Sequence, residues 1–512
     1  TWWLARHGVT VANWQWDTLA AHHALDAAAA HALAYLASID SRQPFWKFMK
    51  DAKESDDDEG AEFDSASDAV TAYYTYNGLD AAVTRELIDV YEARLKAANL
   101  LDFYGHHYRD MFMPLLALMQ HGIRMDELRR RDGHAQLILA CKELRDQLTT
   151  MAGTSLHAAK GESPKKVAAF LYDTLKLPRR TLKGRATTRE VALRDLIIKY
   201  PAKAAEPCSL ILEWRGKKKQ SELLTEHVTD ADFRMRSSYR FTTETGRLNS
   251  SKNPFGTGRN AQNIDRTLRH MFVPDDGCVF VECDLSAAES RVVRARAGAL
   301  TGDQRMIEIA RSKPWEFDDH TNTASIIFGR STDQITKLER FLGKQTNHAG
   351  NYGEQGKTFS ENLLKLTEGE VVRTPEECQR MLDAHMLANP AIPLWQRSIR
   401  GELLANRRLV NSWGRVLDIR FDRMDDDLYR RGYAYKPQSD VGDLLNQWGL
   451  VPLHAFLAER ALRSRINCQV HDSLLVSCPP DEAWLVYDFL RTSLERPRSY
   501  DGIELVVPVE LK

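Results

Sequence analysis

Two aspartates in the second half of the chain have surroundings in which a carboxylate could bind metal ions. Asp284 ends an apolar run that begins at Cys278, and Asp472 lies at a bend between two apolar segments, which predicts a tight β-hairpin. A carboxylate at the end of a buried strand is costly unless something compensates its charge. Mg²⁺ prefers such hard oxygen ligands, and two ions ~3.5–4 Å apart activate an attacking hydroxyl and stabilise a leaving group. The alternative is that each aspartate is only a turn or helix-cap residue.

Four residues spaced by four lie between these aspartates: Arg340, Lys344, His348 and Tyr352. On an α-helix they share one face, so two cations followed by two rings form a single stripe. The cations can hold the phosphates of a triphosphate, and the rings can stack near its sugar and base. An exposed basic helix face has the same spacing, so this helix alone leaves both interpretations open.

Length and composition limit the elements that could position these residues. The chain has 512 residues, which is too long for one compact core and predicts several domains. The formal net charge of -1 is unlike a small, strongly basic nucleic-acid-binding module, so any such surface must be local. Seven scattered cysteines without a CxxC pair favour reduced thiols in an intracellular compartment. No run approaches the ~18 apolar residues of a membrane helix, so we expect no membrane partner.

The pattern changes along the chain. Up to about residue 105, alanine-rich helix alternates with an acidic run over residues 51–64, which we expect to be a solvated insertion. Apolar and β-branched runs appear in residues 236–310, residues 311–404 are helical in pattern, and mixed α/β character returns after residue 409. Because the chain begins with Thr1, we expect its true N-terminus to lie upstream.

Three segments occur in a fixed order: Asp284 to Arg291, Arg340 to Gly353, and Gln469 to Ser473. They resemble motifs A, B and C of the family A (polymerase I-like) DNA polymerases. Supporting segments are similar to the same family and extend the resemblance over residues 106–512; they are residues 113–126, 245–250, 262–264, 319–321, 413–415 and Gln438. Each motif is weak alone, but the ordered set is specific.

The resemblance implies an α/β (α+β) multidomain fold: a right-hand polymerase with palm, fingers and thumb, preceded by an incomplete RNase H-like exonuclease domain. It further implies the following division: exonuclease-like domain 1–105, thumb and the helices leading to it 106–235, palm with motif A 236–310, fingers with motif B 311–404, and palm with motif C 405–512.

The same resemblance implies a DNA-directed DNA polymerase that transfers nucleotides from dNTPs to a primer 3′-hydroxyl in the 5′–3′ direction. Asp284 and Asp472 would be catalytic and would hold two Mg²⁺ ions, with help from the Leu285 carbonyl and with Mn²⁺ able to substitute. The nucleotide-binding residues would be Glu289, His320, Arg340, Lys344, His348 and Tyr352. The residues contacting primer–template DNA would be Arg247, Gln262, Asn263, Arg415, Gln438 and His471. We expect a monomer in the cytoplasm, or in the host cytoplasm if a phage encodes it.

Two positions depart from the family pattern. His348 stands where the family usually has Phe or Tyr, which affects discrimination against modified sugars. Ser473 follows Asp472 where DNA polymerases usually have Glu, and His-Asp-Ser is typical of single-subunit phage RNA polymerases. An RNA polymerase is therefore an alternative, although Glu289 would exclude a 2′-hydroxyl. A catalytically inactive DNA-binding scaffold is a third hypothesis, which retention of Asp284, Asp472 and Lys344 opposes.

The N-terminal region carries two short segments that resemble the second and third motifs of DnaQ-like 3′–5′ exonucleases. Asn13 to Asp17 matches the second and Tyr76-x3-Asp80 the third, so Asp17 and Asp80 would bind metal and Tyr76 would orient a water. Two acids on helix surfaces would have the same spacing. The first exonuclease motif, a DxE pair, is absent because residues 1–16 contain no acid. We therefore expect the sequence as given to lack two proofreading ligands.

Overall fold

A computed structural model describes residues 2–11, 13–47, 66–158, 161–182, 184–367 and 369–512. The acidic run at 51–64 lies outside these residues. Up to residue 105 the described chain is helical, and Asp17 caps α2 by accepting a hydrogen bond from the Ala20 backbone N–H (2.9 Å). Ala20, Leu36 and Leu87 are fully buried between these helices. The helices are α1 (Trp2–Arg6), α2 (Thr18–Leu25), α3 (Leu33–Asp40), α4 (Ala66–Ala97) and α5 (Leu101–Tyr104).

The next section is built on two long helices that pack against each other. Asp126 caps the N-terminus of the first, and Gly153 ends it in the left-handed conformation at φ 66°. A separate core around Leu148, Leu193 and Ile211 holds the section together. After a π-helical turn at Gly105–Arg109, its elements are α6 (Asp110–His121), β1 (Ile123–Met125), α7 (Glu127–Ala152), β2 (His157–Ala158), β3 (Gly161–Glu162), α8 (Pro164–Ala168), β4 (Thr181–Leu182), β5 (Arg185–Ala186), α9 (Glu190–Lys199) and α10 (Pro201–Leu223).

The chain then forms its first long strand and a helical section. The strands are β6 (Arg234–Met235), β7 (Ser238–Arg240), β8 (Asn249–Ser251), β9 (Phe272–Val273) and β10 (Val279–Leu285). The helices are α11 (Ala288–Thr301), α12 (Gln304–Arg311), α13 (Asp319–Phe328), α14 (Lys337–Asn351), α15 (Gly356–Leu366), α16 (Pro375–Ala388) and α17 (Ala391–Asn406). A Cβ atom at Gly343 would lie 2.3 Å from the His320 carbonyl oxygen, so glycine is needed for α14 to pack this closely on α13.

The last section returns to the long strand and completes a sheet around it. Its elements are β11 (Arg408–Val410), β12 (Val416–Asp418), α18 (Asp426–Leu444), α19 (Val451–Glu459), β13 (Arg465–Val470), β14 (Ser473–Cys478), α20 (Pro480–Leu494), β15 (Arg498–Tyr500), β16 (Ile503–Leu505) and β17 (Val509–Leu511). The four-stranded sheet has the order β13-β14-β10-β17, and every neighbouring pair is antiparallel.

Alternation along β10 gives this sheet an apolar face and a polar face. Val281, Cys283 and Leu285 are buried in the main core, whereas Glu282 and Asp284 point to the other, partly open face. The hairpin predicted around Asp472 is present as β13 and β14. The polar face of this sheet is therefore where the two candidate aspartates can meet.

Candidate active site

The two aspartates lie at the same end of the four-stranded sheet. Asp284 is paired with Ser473 across β10 and β14, so Asp472 stands in the adjoining turn. The Leu285 backbone N–H donates to the Asp472 carbonyl oxygen (3.0 Å), and His471 takes the left-handed conformation that the tight turn requires. Burial and the neighbouring Asp284 carboxylate together raise the pKa of Asp472. The sheet thus brings together two carboxylates that favour a nearby cation.

The oxygen donors at this edge fit divalent metal ions. Among the described residues, no group of three or more His, Cys, Asp and Glu side chains could hold a metal ion. The edge instead offers two carboxylates, which is the number that commonly supports Mg²⁺ together with substrate phosphates. The Lys512 ammonium contacts Asp284 Oδ2, so a cation already lies against one of the two.

The motif B residues lie on α14, and a reciprocal capping box of Thr336 and Glu339 fixes where this helix begins. Arg340, Lys344 and His348 are exposed along one face of the helix. Tyr352, the C-cap residue, is buried and packs edge-on against the His348 ring at 4.7 Å between centroids. Partial burial is the largest cause of the lowered pKa of His348, and the positive charges of Arg247 and Lys344 lower it further. Arg247 therefore lies close enough to act on this stripe.

Arg247 connects the stripe to motif A. Its guanidinium forms an ion pair with Glu289 Oε1, whereas Glu289 Oε2 and the Tyr352 hydroxyl are buried without hydrogen-bond partners. Burial and Asp472 raise the pKa of Glu289 to about 8, and the Arg247 contact stabilises the charged form against that rise. The charges of Glu289, Arg247 and Asp472 therefore influence one another.

The N-terminus of α13 adds a second group of residues to the stripe. The Asp318 carboxylate accepts hydrogen bonds from the His320 backbone N–H (3.0 Å) and from Arg340 Nε (2.5 Å). Although burial opposes it, hydrogen bonding from Arg340 and Thr321 lowers the pKa of Asp318 to about 2. Burial lowers the pKa of His320 to about 4, and its Nδ1 is buried without a partner. His320 is therefore neutral at pH 7.

A buried polar network, which sequence reasoning missed, fixes α13 and α14 against α11. Arg294, only 1% exposed, donates two hydrogen bonds to Asp319. The Asn347 side-chain amide also donates to Asp319 (2.8 Å), and the Ser290 hydroxyl donates to Asn347 Oδ1 (2.9 Å). The i,i+4 spacing of Ser290 and Arg294 was the available signal, because it places both on one face of α11.

The residues expected to contact DNA fall into two groups. Asn263 and His471 are exposed, and Gln438 is half-buried on α18. Gln262 is buried and hydrogen bonds to Gln469 (3.0 Å) and the Leu248 carbonyl (3.0 Å). Arg415 is buried as well. Direct contact of Gln262 or Arg415 with DNA stays a prediction, and it would require release of their present partners.

Arg415 is the centre of a buried cluster that reaches the N-terminal helices. Its guanidinium pairs with Asp443 (2.7 Å) and donates to the Tyr108 hydroxyl (3.3 Å). The same hydroxyl hydrogen bonds to His23 Nδ1 (2.8 Å), and His107 Nδ1 contacts Asp443 (3.1 Å). This cluster makes Arg415 a structural link between α2, the π-helical turn and α18.

The exonuclease-like residues have other partners. Asp17 is used as the α2 cap, and Asn13 accepts a hydrogen bond from the Gln15 side chain (2.6 Å). Asp80 Oδ1 accepts hydrogen bonds from Trp46 Nε1 (2.8 Å) and Lys47 Nζ (2.5 Å), and Lys47 also reaches the Tyr76 hydroxyl (3.1 Å). The structure thus gives Asp17 and Asp80 two separate structural roles.

Comparison with known proteins identifies the family. The family model for DNA polymerase family A matches residues 131–512. The chain belongs to DNA polymerase family A. DNA polymerase I of Aquifex aeolicus (strain VF5) is 28% identical over 353 residues, covering 68% of this chain and 56% of the relative. The thermostable DNA polymerase I of Thermus aquaticus is 25% identical over 433 residues, covering 79% and 47%. The chain thus spans about half the length of these curated relatives.

A solved structure shows that the similarity in fold extends beyond the family A segment. The POL domain of Pol1 from M. smegmatis, in complex with DNA primer-template and dNTP, has a TM-score of 0.79 at 19% sequence identity. The match covers 99% of this chain and 83% of that domain, so it includes the helices before residue 131. The expected α/β polymerase fold is confirmed. Among the residues that the structure describes, no helical segment combines the length and the apolar character of a membrane span.

Proposed function

We propose that this family A chain is a DNA-directed DNA polymerase that extends a primer from dNTPs. The observation that carries the proposal is the convergence of Asp284 and Asp472 at one sheet edge, with Arg247 and Glu289 connecting it to the cationic stripe of α14. Relatives described as DNA polymerase I, and the similar M. smegmatis domain in complex with primer-template and dNTP, support the same reading.

In the proposed reaction the primer 3′-hydroxyl attacks the α-phosphate of the dNTP in line. A phosphodiester bond forms, the bond to pyrophosphate breaks, and the hydroxyl proton leaves to solvent. Divalent ions held by Asp284, Asp472 and the Leu285 carbonyl, two Mg²⁺ with Mn²⁺ able to substitute, would activate the hydroxyl and stabilise charge on the pyrophosphate. The cytoplasmic setting that we propose agrees with the seven cysteines, which are all free thiols. We expect the polymerase to act as a monomer.

The chain's own residues would bind and orient the nucleotide. Arg340 and Lys344 supply positive charge for the β- and γ-phosphates. Neutral His320 can donate one N–H to a phosphate oxygen without adding charge. His348 and Tyr352 lie one and two turns beyond Lys344, where they would contact the sugar and base. Glu289, paired with Arg247, would occupy the space that a ribonucleotide 2′-hydroxyl needs.

The primer–template would lie across the palm. Exposed Asn263 and His471 can contact it directly, and Arg247 and Gln438 would lie near the primer terminus. Gln262 and Arg415 would act by holding the loops that present those residues. Such contacts to the sugar-phosphate backbone position DNA without reading its sequence.

Primer extension with Mg²⁺ tests this proposal, with dNTPs compared with NTPs and an Asp472→Ala variant as control. We expect extension with dNTPs only, and its loss in the variant. Extension with NTPs would favour the RNA polymerase that Ser473 raised as an alternative. DNA binding without any extension would favour the inactive scaffold.

A further inference from the structure

The sheet face that carries Asp284 also carries a second acidic residue from the same strand. Glu282 lies two positions before Asp284 on β10, so both side chains leave the strand on one face, about 7 Å apart along it. Leu475 lies opposite Glu282 on β14, and Ser473 lies opposite Asp284. Ser473 is therefore the diagonal neighbour of Glu282 on this face, within reach of a side-chain contact.

Ser473 and Glu282 are in direct contact. The buried Ser473 hydroxyl lies 3.0 Å from Glu282 Oε1 and 3.2 Å from the Val470 carbonyl oxygen, so its single hydrogen is shared between these two acceptors, of which the carboxylate is the nearer. Ser473 immediately follows Asp472, at the position where the resemblance predicts glutamate. The hydroxyl thus holds a carboxylate from the neighbouring strand beside the catalytic turn, in place of a carboxylate on residue 473 itself.

A cation lies next to this carboxylate. Glu282 and Lys512 exchange backbone hydrogen bonds across the sheet edge, at 2.9 and 3.3 Å. The Lys512 side chain extends along the same face and its ammonium contacts Asp284. The space between Glu282 and Asp284 therefore accommodates positive charge.

We propose that Glu282, on the strand next to motif C, strengthens cation binding by Asp284 and Asp472 through its charge without being a third ligand, and that Ser473 is its positioning residue. This inference rests on the proposed two-carboxylate metal site. The His-Asp-Ser sequence is then compatible with a DNA polymerase, because the acidic group lies on the neighbouring strand instead of at residue 473. The substrate class is unchanged. The acidic group lies behind Asp284 and strengthens cation binding through its charge.

The test removes the carboxylate at residue 282 and places one at residue 473. Mn²⁺ binding is measured by electron paramagnetic resonance, in the presence of dNTP and a primer ending in a dideoxynucleotide so that no turnover occurs. Glu282→Ser and Glu282→Gln should each weaken Mn²⁺ binding roughly tenfold, because a negative charge about 7 Å along the strand from Asp284 is lost. The double variant Glu282→Ser/Ser473→Glu should restore the wild-type affinity. Glu504→Ser removes an exposed strand carboxylate elsewhere and should change nothing.

The outcomes separate this inference from the proposed function. Circular dichroism of each variant shows that it is folded, and the Gln variant keeps the shape of the side chain if the Ser variant is unstable. If Asp472→Ala loses Mn²⁺ while both Glu282 variants bind like wild type, the contribution of Glu282 is refuted and the metal site stands. If the double variant binds no better than Glu282→Ser, the proposal that Glu282 stands in for an acidic residue 473 is refuted as well. If wild type neither binds Mn²⁺ nor extends primers, both proposals are refuted.

Discussion

The edge of the four-stranded sheet and the N-terminal helices both carry aspartates that match metal-site motifs, but these aspartates have different surroundings. Asp284 and Asp472 meet at one sheet edge, where mutual repulsion makes a cation favourable. Asp17 caps a helix and Asp80 is satisfied by Lys47 and Trp46. The comparison teaches that a short motif predicts residue types, whereas metal binding also requires carboxylates that converge, as Asp284 and Asp472 do even though Lys512 contacts Asp284.

The most direct test of this difference is to replace one aspartate in each region with the neutral asparagine. Asp284→Asn should lower the rate of primer extension by about 10³-fold or more, because several kcal/mol of metal-based stabilisation is lost at 1.36 kcal/mol per factor of ten. Asp17→Asn should leave both extension and the degradation of a 3′-labelled primer unchanged. Faster primer degradation by wild type than by Asp17→Asn would show a working exonuclease site and end the contrast.

Two ion pairs should differ in how much they stabilise the folded state: Arg294–Asp319 between α11 and α13, and Lys47–Asp80 in the N-terminal region. Arg294→Met leaves Asp319 charged and enclosed, which should lower the free energy of unfolding by about 3–5 kcal/mol. Lys47→Met removes a partly exposed partner of Asp80 and should cost about 1 kcal/mol or less. Urea denaturation of both variants measures the difference. Equal losses would mean that the Lys47–Asp80 pair is as important to the fold as the Arg294–Asp319 pair.

One lysine of the α14 stripe can be compared with an exposed lysine outside it. Lys344→Ala should raise the KM for dNTP by about 10- to 100-fold, because a charge-assisted contact of about 1.5–3 kcal/mol is lost. Lys365, exposed near the end of α15, lies outside the stripe, and Lys365→Ala should leave the KM unchanged. Steady-state kinetics with a saturating primer–template compare the two. A similar rise in both variants would indicate general electrostatic attraction in place of a defined phosphate contact.

Acidic pH should destabilise the N-terminal helices, because protonation of their buried histidines is unfavourable in the folded state. Burial lowers the pKa values of His22, His23 and His31, that of His23 to about 3. The folded state keeps them neutral, so their stabilising contribution is complete above pH 6.5 and is lost as pH falls towards 3. At pH 5, the lowered pKa of His23 alone should reduce the free energy of unfolding by about 2 kcal/mol relative to its value above pH 6.5.

A glutamine variant checks the pH effect. His23→Gln can still hydrogen bond to Tyr108 and should flatten the decrease in thermal unfolding temperature between pH 7 and pH 5. His227→Gln, at a side chain that is 80% exposed, is the control and should follow wild type. Parallel curves for all three proteins would show that other groups determine the acid sensitivity.

Sequence reasoning reached the fold and the family because ordered motifs constrain chain topology. The apolar runs beside Asp284 and Asp472 predicted the strand and the hairpin that the structure has. Burial was harder to foresee. Arg415 lies in a matching segment, but its guanidinium is enclosed by Asp443 and Tyr108, and these partners are 28 and 307 positions away. The contact between Ser473 and Glu282 likewise depends on strand register, which neither segment reveals alone.

The Tyr108 hydroxyl, hydrogen bonded to His23 on one side and to Arg415 on the other, has a consequence for how this molecule can be divided. These hydrogen bonds connect the helices before residue 105 to the segment that carries Arg415, so the helices are part of the same folded body and not a detachable module. A shortened version beginning at residue 131, where the family match starts, would remove Tyr108, His107 and His23 together and leave Arg415 and Asp443 partly exposed. A usable boundary for a minimal enzyme lies before Asp17.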